Sequence, residues 1–148
     1  AVLTGNLVQS EVIFRPDEVV SVMTGVRHAA DWCVGKKAWL VSGIGNSESF
    51  RRLAMENGVQ VLGETAFADH YVYRSEDVDR MRAQATRSNV EIVLTTEKDA
   101  GKLAPLLMPD DSWWALRLRA DVRRGQDALH RLLCEFSDTP KPKGDVRA

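Results

Sequence analysis

From residue 36 onward, apolar runs alternate with amphipathic stretches, and this alternation restricts the fold more than any other feature of the sequence. Four runs predict strands: KAWLVSGIG, VQVLGETAF, VEIVLTT and SWWALRLRADV. A stretch with helical signals follows each of them. Such alternation is typical of parallel strands joined by helices. We therefore predict an α/β fold, a three-layer α/β/α sandwich with a mostly parallel, Rossmann-like sheet.

Local signals predict where these elements begin and end. Asn46 or Ser47 is expected to cap the first helix and Gly58 to end it, whereas Ser75 is expected to cap the second. Pro105 is expected to limit the third. VEIVLTT is continuously apolar, as in a strand covered on both faces. SWWALRLRADV alternates apolar residues with arginines, which predicts a strand near a sheet edge.

The two ends of the chain are less regular. EVIFRPDEVVSV suggests two short strands around a turn at residues 15–18, and TGVRHAADW a short helix. We expect residues 1–35 to form an N-terminal β extension, residues 36–136 the α/β lobe, and residues 137–148 a disordered polar tail. The chain starts with Ala rather than Met, so we expect a trimmed chain or a piece of a longer one.

Composition excludes some classes of partner. The 148 residues carry 20 Lys+Arg against 21 Asp+Glu, so no strong field favours nucleic acid. Cys33 and Cys134 lack metal-ligand spacing. No apolar run approaches the ~20 residues that cross a bilayer, which predicts a soluble chain. The arginines between 117 and 124 are expected to form a solvated strand face or to meet an anionic membrane surface, and Trp113 and Trp114 to divide between core and rim.

Three segments that follow predicted strands carry polar or glycine-rich groups. The first is Gly43-Ile44-Gly45-Asn46, where glycines allow close approach to a ligand or serve only a tight turn. Since parallel strands end at one edge of a sheet, and ligands bind beyond that edge, we expect all three segments to meet there.

The second segment places Asp69 and His70 before Tyr71 and Tyr73. A histidine exchanges protons near neutral pH, although it can equally serve to hydrogen-bond a loop. Neighbouring side chains on an extended segment point in opposite directions, so Asp69 need not contact His70.

The third segment is Thr95-Thr96-Glu97-Lys98-Asp99. Thr96 fits a helix cap, and Glu97 and Asp99 suit the first turn of a helix. Lys98 does not suit it, because cations are disfavoured there. We therefore expect an anionic group close to Lys98.

Together the three segments resemble the lipid A pathway kinase family, tetraacyldisaccharide 4'-kinase. The family pattern reads G-I-G-N-P-E-x-F, F-x-D-H-x-x-Y and T-T-E-K-D-A-x-K-L, and this chain has GIGNSESF, FADHYVY and TTEKDAGKL in the same order. The resemblance covers about residues 36–136. Ser47 and Ala68 stand where the family usually has proline, and Gly101 where it has an apolar residue.

The resemblance implies one lobe of a two-lobed enzyme at the cytoplasmic face of the bacterial inner membrane. Such a kinase transfers the ATP γ-phosphoryl group to the 4'-hydroxyl of a lipid A disaccharide precursor. Its phosphate-binding loop and Mg²⁺ ligands lie in the other, N-terminal lobe. The resemblance assigns His70 as the catalytic residue, working with an aspartate of that lobe, while Asp69 fixes the loop or binds substrate. The expected cleft-lining residues are Asp69, Tyr71, Tyr73, Gly43, Gly45, Asn46, Thr95, Thr96, Glu97, Lys98 and Asp99.

A phosphate-binding loop requires G-x-x-x-x-G-K-[ST] leading into a helix. The nearest stretch, ADWCVGKK, has Lys37 in place of the hydroxyl residue and leads into a strand. We expect the C-terminal lobe alone, inactive by itself, with no metal site of its own. Two alternatives are a free-standing binding module derived from that lobe and an unrelated small α/β hydrolase. The hydrolase lacks a G-x-S-x-G elbow, and Ser42 is a poor nucleophile candidate.

Overall fold

The computed structural model describes residues 11–124. Six strands are β1 Glu11–Ser21, β2 Arg27–Ala29, β3 Lys37–Ser42, β4 Gln60–Ala66, β5 Ile92–Thr96 and β6 Trp113–Arg124; three helices are α1 Ser47–Glu56, α2 Ser75–Arg87 and α3 Glu97–Leu103. Short 3₁₀ turns cover Ala30–Cys33 and Ala104–Leu106. Residues 15–119 form one compact unit, and residues 11–14 and 120–124, at the far ends of β1 and β6, belong to another.

The strands form a single sheet in the order β2-β1-β6-β5-β3-β4. The pairs β3–β4, β3–β5 and β5–β6 are parallel, and β1–β2 is antiparallel. Leu40 on β3 stands opposite Leu94 on β5. The predicted α/β fold with a mostly parallel sheet is confirmed.

Alternate residues of the central strands point into two separate cores, one on each face of the sheet. The first core joins the strands to α1, through Leu40, Leu94, Leu116, Phe50 and Ala54. The second joins them to α2 and α3, through Val41, Val93, Trp113, Val78, Met81 and Leu103. Helices therefore cover both faces, as the sequence predicted.

Capping follows the sequence at two of the three helices. Asn46 Oδ1 accepts the Ser49 N–H at 3.0 Å, and Gly58, with φ of +83°, follows the C-terminal end of α1. Thr96 caps α3. Ser75 does not cap α2: Arg74 is the N-cap residue and its N–H donates to Asp77 Oδ2 at 3.0 Å. The carboxylate three positions into α2 thus replaces the expected hydroxyl.

Predictions for residues 11–33 are partly wrong. No turn interrupts β1 at residues 15–18, because the fixed φ of Pro16 is compatible with an extended strand. The predicted helix over residues 24–32 is instead a hairpin strand and a 3₁₀ turn. Gly25, with φ of +72°, closes that hairpin, and Ser21 N–H donates to Val26 O at 2.8 Å.

β6 was expected near a sheet edge but lies between β5 and β1. The antiparallel hairpin of β1 and β2 extends the sheet beyond it, which no local pattern in β6 could indicate. Trp113 is buried and Trp114 half-buried, which confirms the division between core and rim. The predicted helix after residue 124 and the predicted tail lie outside the described residues. Within residues 11–124, no helix is long and apolar enough to span a membrane.

Candidate functional site

Three loops meet beyond the carboxyl ends of β3, β4 and β5. Phe67 N–H donates to Ser42 O at 2.7 Å, which joins the ends of β3 and β4. Gly43 N–H donates to Asp99 Oδ2 at 3.0 Å, and Lys98 Nζ donates to Asp69 Oδ1 at 3.3 Å. The predicted convergence of the three sequence segments on one edge is therefore confirmed.

Asp99 connects two of these loops from the interior. Its side chain is fully buried, although a cleft-lining position was expected. Asp99 Oδ2 accepts hydrogen bonds from Gly43 N–H and, at 2.6 Å, from the Thr96 hydroxyl. The Asp99 N–H in turn donates to Thr96 Oγ1 at 3.1 Å. Asp99 therefore holds the glycine loop against the first turn of α3 and does not face solvent.

Three other predicted cleft residues are also buried. Thr95 is fully buried, and its hydroxyl donates to Val41 O at 2.8 Å. Gly43 is buried, and a Cβ added there would lie 2.8 Å from Tyr73 Oη and 3.1 Å from Asp99 Oδ1. Tyr73 is buried too, and burial, then the Asp99 carboxylate, raises its pKa. These residues shape the edge without lining it.

His70 lies at the tip of the second loop. Its φ is 59°, in the left-handed region that non-glycine residues seldom adopt, and its side chain is 76% exposed. Asp69 Oδ1 accepts the His70 N–H at 3.0 Å, and Asp69 Oδ2 lies 3.6 Å from His70 Nε2. The expectation that the two side chains point apart is wrong, because the segment turns at His70 and is not extended.

Residues on both sides of His70 are firmly held. The Tyr71 hydroxyl donates to Asp77 Oδ2 at 3.0 Å, and Lys102 Nζ donates to Tyr71 O at 3.4 Å. The rings of Phe67, Tyr71 and Tyr73 pack against one another, with centroids 4.4 to 5.4 Å apart. These contacts fix the loop on both sides of the exposed His70.

Asp77 helps to fix the loop that carries His70, and the sequence did not predict this role. Burial alone would raise its pKa, but hydrogen bonds from the Arg74 N–H, the Tyr71 hydroxyl and Arg80 outweigh burial and lower it. Asp77 lies three residues after Arg74, at the start of α2, where a side chain can accept the N–H of the N-cap residue. That spacing is the signal by which the sequence could have identified Asp77.

The anionic neighbour expected for Lys98 is Asp69. The hydrogen bond from Lys98, and then the charge of His70, lower the pKa of the Asp69 carboxyl. Glu97 has a different partner, because Arg117 Nε lies 3.0 Å from Glu97 Oε1. Arg117 was predicted only as part of a basic strand face, and the β5–β6 register, with Leu116 opposite Thr96, brings it to this edge.

The exposed part of the edge includes Gly45, Asn46, Asp69, His70, Glu97 and Lys98. An ideal Cβ at Gly45 would lie 3.8 Å from Asp69 Oδ2. No group of three or more metal-ligating side chains occurs within residues 11–124. The arrangement suits proton exchange by an imidazole beside a carboxylate.

Fold and edge together define an α/β domain that presents a histidine–aspartate pair beyond the carboxyl ends of its parallel strands. The family model for tetraacyldisaccharide-1-P 4'-kinase, LpxK, matches residues 5–137. The chain belongs to this family. Neither the binding-module alternative nor the hydrolase alternative is favoured by this match.

Similar proteins carry the same name. The tetraacyldisaccharide 4'-kinase of Anaeromyxobacter sp. (strain Fw109-5) is 35% identical over 112 residues, which are 76% of this chain and 29% of the relative. That of Syntrophus aciditrophicus is 32% identical over 68% of this chain and 28% of the relative. The matched segment therefore spans under a third of the length of each of these two relatives.

A solved structure has the same fold. LpxK from Aquifex aeolicus, crystallised in complex with ATP, is similar with a TM-score of 0.55 and 21% identity. The match covers 86% of this chain and 36% of the Aquifex chain. At this identity the likeness shows the fold.

Proposed function

We propose that this chain is the C-terminal lobe of a tetraacyldisaccharide 4'-kinase. The parent enzyme would use ATP to phosphorylate the 4'-hydroxyl of a tetraacyldisaccharide 1-phosphate, a lipid A precursor, at the cytoplasmic face of the inner membrane. The observation that carries the proposal is the meeting of the GIGN, DHYVY and TTEKD segments at one edge, around an exposed His70. The family match supports it.

In this proposal His70 accepts the proton of the attacking hydroxyl. Its imidazole is exposed, and the loop that carries it is braced by Tyr71. Gly45 and Lys98 lie beside the neighbouring Asp69, and with the exposed Asn46 they are groups that can contact the sugar. The buried Gly43, Tyr73, Thr95 and Asp99 maintain the geometry, so their contribution is structural.

The described edge offers no evident phosphate site at its glycine loop. The Gly43 N–H is already donated to Asp99 Oδ2, so it is not free to bind a phosphate oxygen, and the carboxylate of Asp69 lies beside Gly45. The sequence also has no G-x-x-x-x-G-K-[ST] segment. We propose that the N-terminal lobe binds the nucleotide and its metal, and that this chain alone does not turn over ATP.

A chimeric enzyme tests the proposal. The full chain replaces the matching segment of the Anaeromyxobacter relative, and phosphorylation of tetraacyldisaccharide 1-phosphate is measured. His70→Ala is expected to lower kcat by about 10²- to 10⁴-fold, the usual contribution of a positioned base. Asn89→Ala is the matched control, since Asn89 is the other non-glycine residue with positive φ (52°) in the described chain.

Two outcomes would contradict the proposal. Undiminished turnover by the His70→Ala chimera removes the catalytic role of His70. Calorimetry that detects micromolar ATP binding by the isolated chain removes the assignment of the nucleotide to the other lobe.

A further inference from the structure

We infer that Tyr71 is a positioning residue for His70 and not a substrate contact, because it ties the turn that carries the imidazole to two helices. The inference rests on the proposed function for the role of His70. Tyr71 falls on an open position of the family pattern F-x-D-H-x-x-Y, whereas Tyr73 falls on its specified tyrosine. The arrangement is therefore a property of this chain.

The polar groups of Tyr71 are all engaged by the protein itself. Its N–H donates to Ala68 O at 3.1 Å, and its carbonyl oxygen accepts a hydrogen bond from Lys102 Nζ at 3.4 Å. Its hydroxyl donates to Asp77 Oδ2 at 3.0 Å. A substrate oxygen could receive the hydroxyl proton only if the bond to Asp77 broke. Tyr71 thus serves as a link within the fold, although a cleft-lining position was expected.

The two side chains that hold Tyr71 come from different helices. Asp77 lies in the first turn of α2 and is only 3% exposed, while Lys102 lies in the last turn of α3. Asp77 Oδ2 also accepts the Arg74 N–H at 3.0 Å, so the carboxylate cannot follow the loop if the loop moves. Both helices pack in the same apolar core, which fixes the two attachment points of Tyr71.

His70 requires this support because its backbone conformation is strained. A φ of 59° is costly for a residue other than glycine, and such a conformation persists where surrounding contacts determine it. Before the turn, Asp69 Oδ1 accepts the His70 N–H at 3.0 Å. After the turn, the bonds of Tyr71 hold the chain. Since the imidazole itself is exposed, its position depends on the backbone that carries it.

The chimeric enzyme tests the inference with Tyr71→Phe, which removes the hydroxyl and keeps the ring between Phe67 and Tyr73. We expect kcat to fall by about two- to tenfold, which corresponds to the loss of one hydrogen bond, and KM to stay nearly unchanged. Lys102→Met removes the bond to the Tyr71 carbonyl oxygen and should have a similar effect. Lys37→Met is its matched control, at an exposed position where β3 begins, and should leave kcat unchanged.

A double-mutant cycle shows whether Tyr71 acts through His70. In the His70→Ala background, Tyr71→Phe should have no further effect on kcat, because the side chain that it positions is absent. A further two- to tenfold loss in that background overturns the inference. So does an unchanged kcat of Tyr71→Phe alone, or a raised KM with unchanged kcat, which would make Tyr71 a substrate contact.

Hydrogen exchange of the full chain supplies a readout without turnover. In Tyr71→Phe the amide at position 71 should exchange about two- to tenfold faster, whereas the Val93 amide, bonded to Ser112 O in the sheet, should be unaffected. Equal exchange at position 71 in the wild type and the variant overturns the inference. If His70→Ala leaves turnover unchanged, the proposed function fails, and the exchange result still decides whether Tyr71 holds the turn.

Discussion

Asp99 Oδ2 accepts the backbone N–H of Gly43 at 3.0 Å, although the two residues are 56 positions apart in the sequence. This bond joins the end of β3 to the start of α3, inside the protein. It determines where the glycine loop stands relative to Lys98 and, through Lys98, relative to Asp69.

Loss of the Asp99 carboxylate should destabilise the fold. Asp99→Ala leaves the Gly43 N–H and the Thr96 hydroxyl without their acceptor in a fully buried site, which should lower the free energy of unfolding by about 3 kcal/mol. Asp99→Asn keeps one acceptor oxygen and should cost about half as much. Urea denaturation measures both.

The control for Asp99 is Asp110→Ala, at an exposed position, where a change below about 0.5 kcal/mol is expected. Equal, small effects at both positions would show that Asp99 does not hold the loop.

Replacing Gly43 and Gly101 by alanine should change the stability of the fold in opposite directions. In Gly43→Ala the new Cβ would meet Tyr73 Oη at 2.8 Å, a close contact in a packed interior that should cost about 1–3 kcal/mol. In Gly101→Ala the Cβ meets nothing within 4 Å and α3 gains a better helix former, so stability should rise by about 0.5–1 kcal/mol. Thermal or urea unfolding compares the two.

Tyr73→Phe removes the oxygen that the new methyl group meets. The cost of Gly43→Ala should therefore be smaller in the Tyr73→Phe background. If the cost is the same in both backgrounds, the contact with Tyr73 is not its cause.

Both tyrosines of the sequence should resist ionisation in the folded chain. Burial, first, raises the pKa of Tyr73, and the hydrogen bond to Asp77, first, raises the pKa of Tyr71. In both cases the folded-state pKa exceeds the unfolded value of about 10. The contribution of each neutral tyrosine to the free energy of unfolding is therefore fully present below pH ~10 and is lost as the pH rises further. Phenolate absorbance should thus appear above the normal range, together with unfolding followed by circular dichroism. A full phenolate signal at pH ~10 from a folded chain would contradict both shifts.

Local sequence signals were sufficient for the regular elements of the α/β lobe. Alternating apolar runs predicted β3, β4 and β5, and Asn46 and Thr96 predicted two helix starts, because strand pleating and helix capping depend on neighbouring residues. The order of the three motifs also sufficed for the family. The hairpin of β1 and β2 was not predictable, since its pairing with the sheet depends on residues far along the chain.

The candidate site, too, has features that the sequence predicts and features that only the tertiary structure shows. The sequence by itself determined which chemical groups reach the edge of the sheet, because parallel strands place their carboxyl ends together. Only the tertiary structure decided that Asp99, Thr95 and Tyr73 are buried while His70 is exposed, and that Asp69 pairs with both His70 and Lys98. The contacts of Asp99 with Gly43 and of Lys98 with Asp69 join segments 56 and 29 positions apart, whose approach is set by packing across the sheet and not by local sequence.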